Sequence, residues 1–294
     1  MALGLLMAVG GIYGRDLQAF LNTPAWNLQS FPARYIQIDW TGGYLFARAE
    51  APLPVIVSDP YKTGGVHSLT EARMIAREKA RELATARLFG ALWQLNLDGE
   101  GSIGSRMERD GAFKSRMADL GDLFQVRSRR TGMGRVAIEL GVPFFGARGL
   151  YALLADKHYN QSSVPELQFG NPATDPISSI IIDMEPFSDF QVSLEPRIYT
   201  AQGRLIFGPE MASRTCAIRY GLVGWHTSAN RARLDRRAGE QPYFTFAGGL
   251  RGPRKSDIYL DDADVTRILG NREGRQALRR CNVLIVVDQR SAKK

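Results

Sequence analysis

One stretch, Ser68–Trp93, constrains the fold more than any other because it is long and strongly periodic. Ser68 and Glu71 stand at capping-box spacing, in which each side chain satisfies a free backbone group at the start of a helix. Apolar residues then recur at steps of three or four, at Ala72, Ala76, Ala80, Leu83, Ala84, Leu88, Ala91, Leu92 and Leu95. This stripe predicts a long amphipathic helix lying across a sheet. Its first half is almost all alanine, so the sheet is expected to approach closely.

Short alternating runs on both sides of this helix supply the sheet. Tyr35–Trp40 and Tyr44–Ala49, joined by Thr41-Gly42-Gly43, predict a β-hairpin. The remaining elements of this half are predicted as a short apolar strand at Leu95–Leu97, a looser helix at Ser105–Phe124 interrupted at Gly111, strands at Phe124–Arg129 and Gly134–Pro143, and a closing helix at Gly149–Ala155. The order β-β-α-β-α-β-β predicts an α+β domain with an antiparallel sheet and a long helix on one face.

The second half of the chain predicts a separate, mainly β domain of the α+β class. Residues 156–176 are polar and rich in proline and glycine, which is typical of a linker. Strands are predicted at Ser179–Met184, Gln191–Leu194, Arg197–Tyr199, Leu205–Phe207, Leu222–Trp225, Tyr243–Ala247 and Val283–Val287, with a helix at Asp262–Leu269. The predicted domains therefore cover residues 31–155 and 177–289, and residues 290–294 form a basic tail.

The N-terminal residues 1–30 carry an export-like pattern. Ala2–Gly14 is apolar or small throughout, which matches the core of a secretory signal but is too short to span a bilayer as a helix. No basic residue precedes Arg15, so the interpretation is a signal whose true start lies upstream, with a buried N-terminal segment as the alternative. No cysteine follows the run, so it does not read as a lipoprotein signal. The predicted location is periplasmic or outer-membrane-associated.

The charge of the chain argues against nucleic-acid binding. The formal net charge is +8, but the basic residues form no dense cluster and no nucleic-acid-binding motif accompanies them. Solvated arginines on strand edges and loops are the favoured interpretation. An anionic surface such as lipid head groups stays open as a peripheral contact.

Two stretches are candidate ligand sites. Gly99–Gly104 matches the dinucleotide fingerprint G-x-G-x-x-G, but it follows a long helix rather than a strand, so a glycine-rich turn is favoured. Asp257–Asp264 contains four aspartates that could bind a cation, although the spacing is not that of a Ca²⁺-binding loop and helix starts favour carboxylates. His67, His158 and His226 each stand alone, without metal-site spacing. The sequence therefore predicts a protein that is not an enzyme and has no cofactor, catalytic residue or metal site.

The two cysteines, Cys216 and Cys281, both fall in the second domain. Cys281 directly precedes the apolar strand Val283–Val287, so its side chain is expected in the core or at its rim. In an oxidising compartment the two are candidates for a disulfide, provided that their Cα atoms lie within about 7 Å. The alternative is a pair of ordinary buried thiols.

The first half resembles the LPP20-type domain. The resemblance rests on Ile38–Gly43, the alanine-rich helix beginning near Glu71, and Arg135–Pro143 followed by Phe144-Phe145-Gly146, and it covers about Ile36–Ala155. That domain occurs in secreted and outer-membrane lipoproteins and is similar to the N-terminal part of flagellar assembly protein T and to basal-disk proteins of some flagellar motors. The C-terminal half is similar to an extension found beside this domain in envelope proteins. This chain lacks the lipobox cysteine of such lipoproteins.

The resemblance implies a structural, non-enzymatic part of the cell envelope. Its expected partners are other envelope proteins or further copies of itself in an oligomer, and a flagellar-motor accessory or scaffold component is the most specific version. The alternative from another class is a ligand- or cation-binding module or an enzyme that uses the Gly99–Gly104 turn or the Asp257–Asp264 cluster.

Overall fold

The chain folds into two α+β units in the computed structural model, which describes residues 35–57, 66–132, 134–155, 158–167 and 175–288. Of the described residues, those within 35–37, 45–94 and 110–142 form the first unit, and those within 38–44, 95–109 and 143–288 form the second. The predicted mixed α+β class is confirmed, and the predicted boundary at residues 156–176 stays a prediction. The predicted export segment 1–30 and the basic tail 290–294 lie outside the described residues.

The first sheet has four strands in the order β1-β2-β4-β3. Its elements along the chain are β1 (Ile36–Asp39), β2 (Tyr44–Pro52), α1 (Leu69–Gln94), α2 (Ile103–Arg109), α3 (Gly111–Arg116), a 3₁₀ helix (Met117–Leu123), β3 (Gln125–Gly132), β4 (Arg135–Pro143) and α4 (Leu150–Leu154). Of these, α2 and α4 belong to the second unit. β3 and β4 pair antiparallel from Gln125 opposite Gly141 to Gly132 opposite Arg135.

The hairpin turn between β1 and β2 forms where glycine was predicted to allow it. The backbone N–H of Gly42 donates to Asp39 Oδ1 at 2.7 Å, and Gly43 has a φ of 68°, a conformation that glycine adopts without steric cost. Along β2, Leu45, Ala47, Ala49 and Ala51 are buried and alternate with more exposed residues. The alternation shows that one face of the strand is fully covered.

Helix α1 buries the alanine stripe. Ala72, Ala76, Ala80 and Ala84 are at most 1% exposed, and Leu88 is fully buried. The Glu71 N–H donates to Ser68 Oγ at 3.1 Å, as the capping box predicts, while the Glu71 carboxylate accepts from the N–H of His67 rather than from that of Ser68. The Arg87 guanidinium donates to the Arg48 carbonyl at 2.6 Å, which ties the helix to β2.

The second unit contains two four-stranded sheets. One is entirely parallel in the order β8-β12-β5-β9, and the other is mixed in the order β10-β11-β6-β7. The elements are β5 (Ser179–Asp183), β6 (Ile198–Thr200), β7 (Leu205–Phe207), α5 (Arg214–Tyr220), β8 (Gly224–His226), α6 (Ala229–Arg233), β9 (Pro242–Phe246), β10 (Gly249–Arg251), β11 (Asp257–Leu260), α7 (Asp262–Gly270), α8 (Arg272–Arg279) and β12 (Val283–Val286).

The parallel sheet follows from its sequence. Ile180, Ile181 and Ile182 in β5 are fully buried, and so are Val283, Leu284 and Ile285 in β12. Continuous apolar runs of this kind are typical of parallel strands that are covered on both faces.

Two predicted strands are absent from their positions. Residues 95–97 contribute only an isolated bridge between Asn96 and Ser102, and Gln191–Leu194 has no strand geometry. Instead, the N–H groups of Leu194 and Glu195 donate to the carbonyls of Asn96 and Leu97 at 3.0 and 2.6 Å. Leu95, Leu97, Val192 and Leu194 are buried in this irregular contact, and a short run in which apolar and polar residues alternate does not by itself distinguish such a segment from a strand.

Among the residues that the structure describes, no helix combines the length and the apolar character that a bilayer crossing requires.

Candidate functional site: a buried charge cluster

Charged side chains from three distant stretches meet inside the second unit, and we call them the charge cluster. Its members are Asp98, Arg106, Glu195, Arg197, Glu210 and Asp257. Glu195 and Asp257 are only 2% and 3% exposed. Carboxylates are seldom buried so deeply unless they are paired, so the cluster is the most unusual chemistry of this unit.

Arg197 lies at the centre of the charge cluster. Its guanidinium pairs with Asp98 Oδ2 at 3.3 Å and with Glu210 Oε1 at 3.1 Å, while its backbone N–H donates to Asp257 Oδ1 at 3.0 Å. Burial by itself lowers the pKa of Arg197, but the Glu210 and Asp98 carboxylates outweigh it and hold that pKa above its usual value. Arg197 is therefore a fixed positive charge. It links Asp98, which precedes α2, to the starts of β6 and β11.

Glu195 is the most deeply buried acid of the cluster. The Tyr159 hydroxyl donates to its Oε1 at 2.6 Å, and Arg106 Nη1 lies 3.6 Å from its Oε2. Burial raises the pKa of Glu195 to about 7, against a usual 4.5, because Tyr159 and Arg106 only partly compensate for the loss of water. The carboxyl group therefore changes charge near neutral pH.

Asp257 and Gly99 come from the two stretches that the sequence singled out separately, and the fold places them in contact. A Cβ atom built on Gly99 would lie 2.3 Å from Asp257 Oδ2, so only glycine fits against this carboxylate. Burial raises the pKa of Asp257 to about 6, although its bond from the Arg197 N–H opposes the shift.

The backbone of the Gly99–Gly104 turn is already hydrogen-bonded within the protein. Asp98 Oδ1 accepts from the N–H groups of Glu100 and Gly101, both at 3.0 Å. The Ser102 N–H donates to Ser105 Oγ, and the Ile103 N–H donates to the Leu95 carbonyl. A dinucleotide site needs such N–H groups for its phosphates. This geometry is that of the glycine-rich turn, the interpretation favoured from sequence.

The four aspartates of 257–264 do not converge. Asp257 belongs to the charge cluster, whereas Asp264 at the start of α7 accepts hydrogen bonds from the Tyr243 and Thr245 hydroxyls at 2.6 and 2.7 Å. Asp262 accepts from the Gln202 side chain. Across the part of the chain that the structure describes, no group of three or more His, Cys, Asp or Glu side chains is arranged to hold a metal ion.

The two cysteines lie on either side of one backbone contact, in which the Ser213 N–H donates to the Arg279 carbonyl at 2.8 Å. Cys216 lies in the first turn of α5 and is half-buried, whereas Cys281 follows α8 and is fully buried. Both are free thiols. The neighbouring Cys281 thiol, with help from Ser213, Arg280 and Arg219, lowers the pKa of Cys216 to about 6, and the Cys216 thiol raises the pKa of Cys281 together with burial. A disulfide between them stays a prediction.

His226 has a partner that its sequence context does not reveal. It ends β8 and lies 3.0 Å, Nε2 to Oδ2, from Asp235, which also pairs with Arg237. Although burial opposes it, the His226 and Arg237 hydrogen bonds hold the pKa of Asp235 well below its usual range. His226 is therefore held within the fold by a carboxylate nine residues further along the chain.

A basic pocket of about 280 Å³ lies elsewhere in the second unit. The side chains of Arg272, Arg275 and Arg279, on one face of α8, line it together with residues 160–164. Arg275 pairs with Glu166 at 2.6 Å, and Arg279 donates to Asn160 Oδ1. This surface has the charge that an anionic head group would require.

Sequence reasoning singled out Asp257 and Gly99 but missed Asp98, Glu195 and Arg197. The signal available was a charged pair, Glu195 and Arg197, inside an otherwise apolar run that leads into β6. Chemically, Glu195 and Asp257 have pKa values suited to proton transfer. Their oxygens, however, accept hydrogen bonds from Tyr159 and from the Arg197 backbone, so the arrangement suits a structural role.

The second half of the chain is similar to a known protein domain. Residues 179–289 match the family described as the second domain of Treponema pallidum Tp0624. The match covers the whole parallel sheet from β5 to β12 and all of the mixed sheet. A search of curated proteins finds no match to this chain.

Proposed function

We propose that this chain is a non-enzymatic structural or assembly protein of the cell envelope, periplasmic or outer-membrane-associated. It works through contacts with other envelope proteins or with further copies of itself. A flagellar-motor accessory or scaffold component is the most specific form of the proposal. The observation that carries it is the charge cluster, whose ionised groups are directed at one another inside the fold.

The charge cluster supports a structural role through its connectivity. The single residue Arg197 contacts three acids, Asp98, Glu210 and Asp257, that are far apart in sequence. Breaking one partner of a buried ion pair costs about 3–5 kcal/mol, because the other charge is left uncompensated. Such a cluster fixes the relative positions of the segments that carry it, and fixed geometry is what a part of an assembly requires.

The proposed location and partners come from the resemblance to LPP20-type envelope proteins. The family match supports the view that the second half of the chain is a separate module. The Tp0624 match concerns a second domain, so this kind of domain occurs beside other domains in one chain. A periplasmic chain with a modular second half fits an assembly that joins several envelope components.

The basic pocket on α8 supports the peripheral membrane contact. Arg272, Arg275 and Arg279 carry three positive charges, and Glu166 offsets one of them. Anionic lipid head groups attract such a surface by about 1 kcal/mol per basic residue near the membrane. Flotation with vesicles containing anionic lipid, compared with neutral vesicles, measures this contact.

Cross-linking in intact cells tests the assembly role. The natural chain, carrying a photoreactive residue at exposed Leu234 (86% exposed), is expected to form products larger than the monomer with envelope proteins or with itself. The matched control places the same residue at buried Leu284, which no partner can reach. A chain that stays monomeric when probes at several exposed positions are used would contradict the proposal.

The alternative is a ligand-binding module or enzyme, and the contact between Gly99 and Asp257 is the observation in its favour. A thermal-shift screen with nucleotides, Ca²⁺ and Mg²⁺ distinguishes the two, because a ligand bound only to the native state raises the melting temperature. The structural proposal predicts no shift. A shift that Asp257→Asn abolishes would establish the alternative instead.

A further inference from the structure

The basic pocket beside α8 combines room for a small ligand with a wall of positive charge. Its volume is about 280 Å³, just below the roughly 300–1,000 Å³ of common small-molecule sites. Arg272, Arg275 and Arg279 are spaced by three and four residues, so their side chains share one face of the helix and line the same side of this volume. Because other residues of α8 are buried in the fold, these arginines are presented from an anchored element.

The loop of residues 160–164, which lines the pocket opposite these arginines, is held in place by hydrogen bonds. The backbone N–H groups of Asn160 and Ser162 donate to the carbonyls of residues 209–210 at 3.4 and 2.8 Å. Arg279 Nη2 donates to Asn160 Oδ1 at 3.2 Å, which joins the loop to α8. The hydroxyl groups of Ser162 and Ser163 are exposed and line the same pocket, so they add neutral hydrogen-bond donors to the charged ones.

The guanidinium groups of Arg272 and Arg275 differ in what they contact. Arg275 donates to the Leu269 carbonyl and to Glu166 Oε1, both at 2.6 Å. Glu166 is 60% exposed, so this pair is a weak surface contact that a stronger anion can replace. Within the part of the chain that the structure describes, the exposed Arg272 guanidinium has no ion-pair or hydrogen-bond partner. Arg272 is therefore available to a ligand without breaking any contact of the fold.

The charge of the basic pocket matches a dianion. Three arginines line it and Glu166 offsets one of them, which leaves a net charge of +2. A phosphate monoester carries about −1.5 to −2 charges near pH 7, and its three terminal oxygens accept bidentate hydrogen bonds from planar guanidinium groups. A phosphate diester or a single carboxylate carries only one negative charge. The pocket therefore favours a phosphate monoester over these other anions.

We propose that the basic pocket is a binding site for a phosphate monoester group, carried by a lipid head group or by a small soluble molecule. Arg272 and Arg275 donate to the phosphate oxygens, and Glu166 releases Arg275 when the ligand enters. The lipid source deepens the peripheral membrane contact and rests on that part of the proposed function, whereas the soluble source does not. Cross-linking in cells, which tests the assembly role, does not depend on this pocket, so either proposal can fail alone.

Two probes on the full-length protein distinguish the sources of the phosphate. Isothermal titration calorimetry with glycerol 3-phosphate measures binding of a soluble monoester. Flotation with phosphatidylcholine vesicles that contain phosphatidic acid measures binding of a lipid monoester, and vesicles with phosphatidylglycerol, a diester, at matched surface charge are the comparison. We expect binding to at least one monoester probe and weaker binding to the diester vesicles. No binding to either monoester, or equal binding to both kinds of vesicle, would overturn the proposal.

Three variants locate the bound phosphate. Arg272→Gln is expected to weaken binding of the monoester probe at least about tenfold, the loss typical of a hydrogen bond to a charged group. Glu166→Gln is expected to tighten binding roughly twofold to fivefold, because the carboxylate that competes for Arg275 is gone. Arg77→Gln, at an exposed arginine of α1 outside the pocket, removes the same charge and is expected to bind like the wild type.

Thermal unfolding of each variant is the control for folding. An Arg272→Gln protein that binds as tightly as Arg77→Gln would contradict the site, because general charge attraction would then explain the binding. If Arg272→Gln fails to fold, Glu166→Gln decides the matter, and unchanged or weaker binding by that variant would overturn the proposal.

Discussion

At the residue scale, Glu195 makes the stability of the protein depend on pH. Its pKa is about 7 in the folded protein, against a usual 4.5, because it is buried. The folded state therefore binds the proton more tightly than the unfolded state, and the free energy of unfolding decreases as the pH rises from about 4.5 to about 7. The expected loss is on the order of 3 kcal/mol and is complete above pH 7.

The variant Glu195→Gln tests this pH dependence, since the amide does not titrate and its oxygen can still accept from Tyr159. Urea unfolding at pH 5 and at pH 8 is expected to show a smaller difference in the variant than in the wild type. Glu100→Gln, at an exposed acid near the same cluster, serves as the control and is expected to match the wild type. Equal pH dependence in all three proteins would show that Glu195 keeps an ordinary pKa.

Gly99 supplies a second prediction at this scale. Gly99→Ala places a Cβ atom 2.3 Å from Asp257 Oδ2, so we expect overpacking to destabilise the protein by about 1–3 kcal/mol. Gly111→Ala is the matched control: the space around a Cβ there is empty to 4 Å, and alanine at this helical position is expected to be neutral or stabilising. Chemical denaturation measures both, and a harmless Gly99→Ala would mean that the contact with Asp257 is not close.

The sequence indicated these residues only in part. Gly99 and Asp257 stood out as members of recognisable motifs, but their contact depends on 157 intervening residues folding correctly, and no local pattern encodes it. Glu195 and Arg197 carried no motif. A buried charge looks like a surface charge until its partners from distant segments are known.

At the element scale, α1 is the element that the sequence predicts most directly, because an apolar stripe of this length defines a single buried face of a helix. Ala80 is fully buried and Arg77 is exposed. Ala80→Leu is therefore expected to destabilise the protein by ~1–3 kcal/mol through overpacking, while Arg77→Ala changes the free energy of unfolding by about half a kcal/mol or less. Denaturant titration of the two variants checks this, and equal effects would mean that the buried face of α1 is assigned wrongly.

The short elements of the second unit were harder to predict. Helices α5 and α6 span only seven and five residues, too few for a 3.6-residue period to repeat. Helix α8 is polar over most of its length, and β10 and β11 are stabilised by pairing with each other and with β6. Such elements depend on tertiary contacts more than on local propensity.

At the scale of the whole molecule, the family match and the second compact unit cover different residues. The match covers residues 179–289, whereas the second unit also draws on residues 38–44, 95–109 and 143–178. Those additional segments carry Asp98, Arg106 and Tyr159, which pair with Arg197 and Glu195.

A fragment of residues 177–289 is therefore expected to unfold less cooperatively and at lower denaturant concentration than the full chain. Removing Arg106 and Tyr159 leaves the buried Glu195 without these two partners, and removing Asp98 leaves Arg197 with Glu210 as its remaining ion-pair partner; both losses are destabilising. Circular dichroism during urea titration measures the difference. Replacing Glu195 in the fragment by Gln is expected to recover part of the lost stability, because the amide carries no buried charge, and a fragment as stable as the full chain would show that the charge cluster is dispensable.

The location of the mature protein tests the central proposal most directly. Fractionation of cells that express the natural full-length protein, with mass spectrometry of its N-terminus, gives compartment and processing in one measurement. The account predicts the protein in the periplasmic or outer-membrane fraction. A purely cytosolic mature protein that retains residues 1–25 would contradict it.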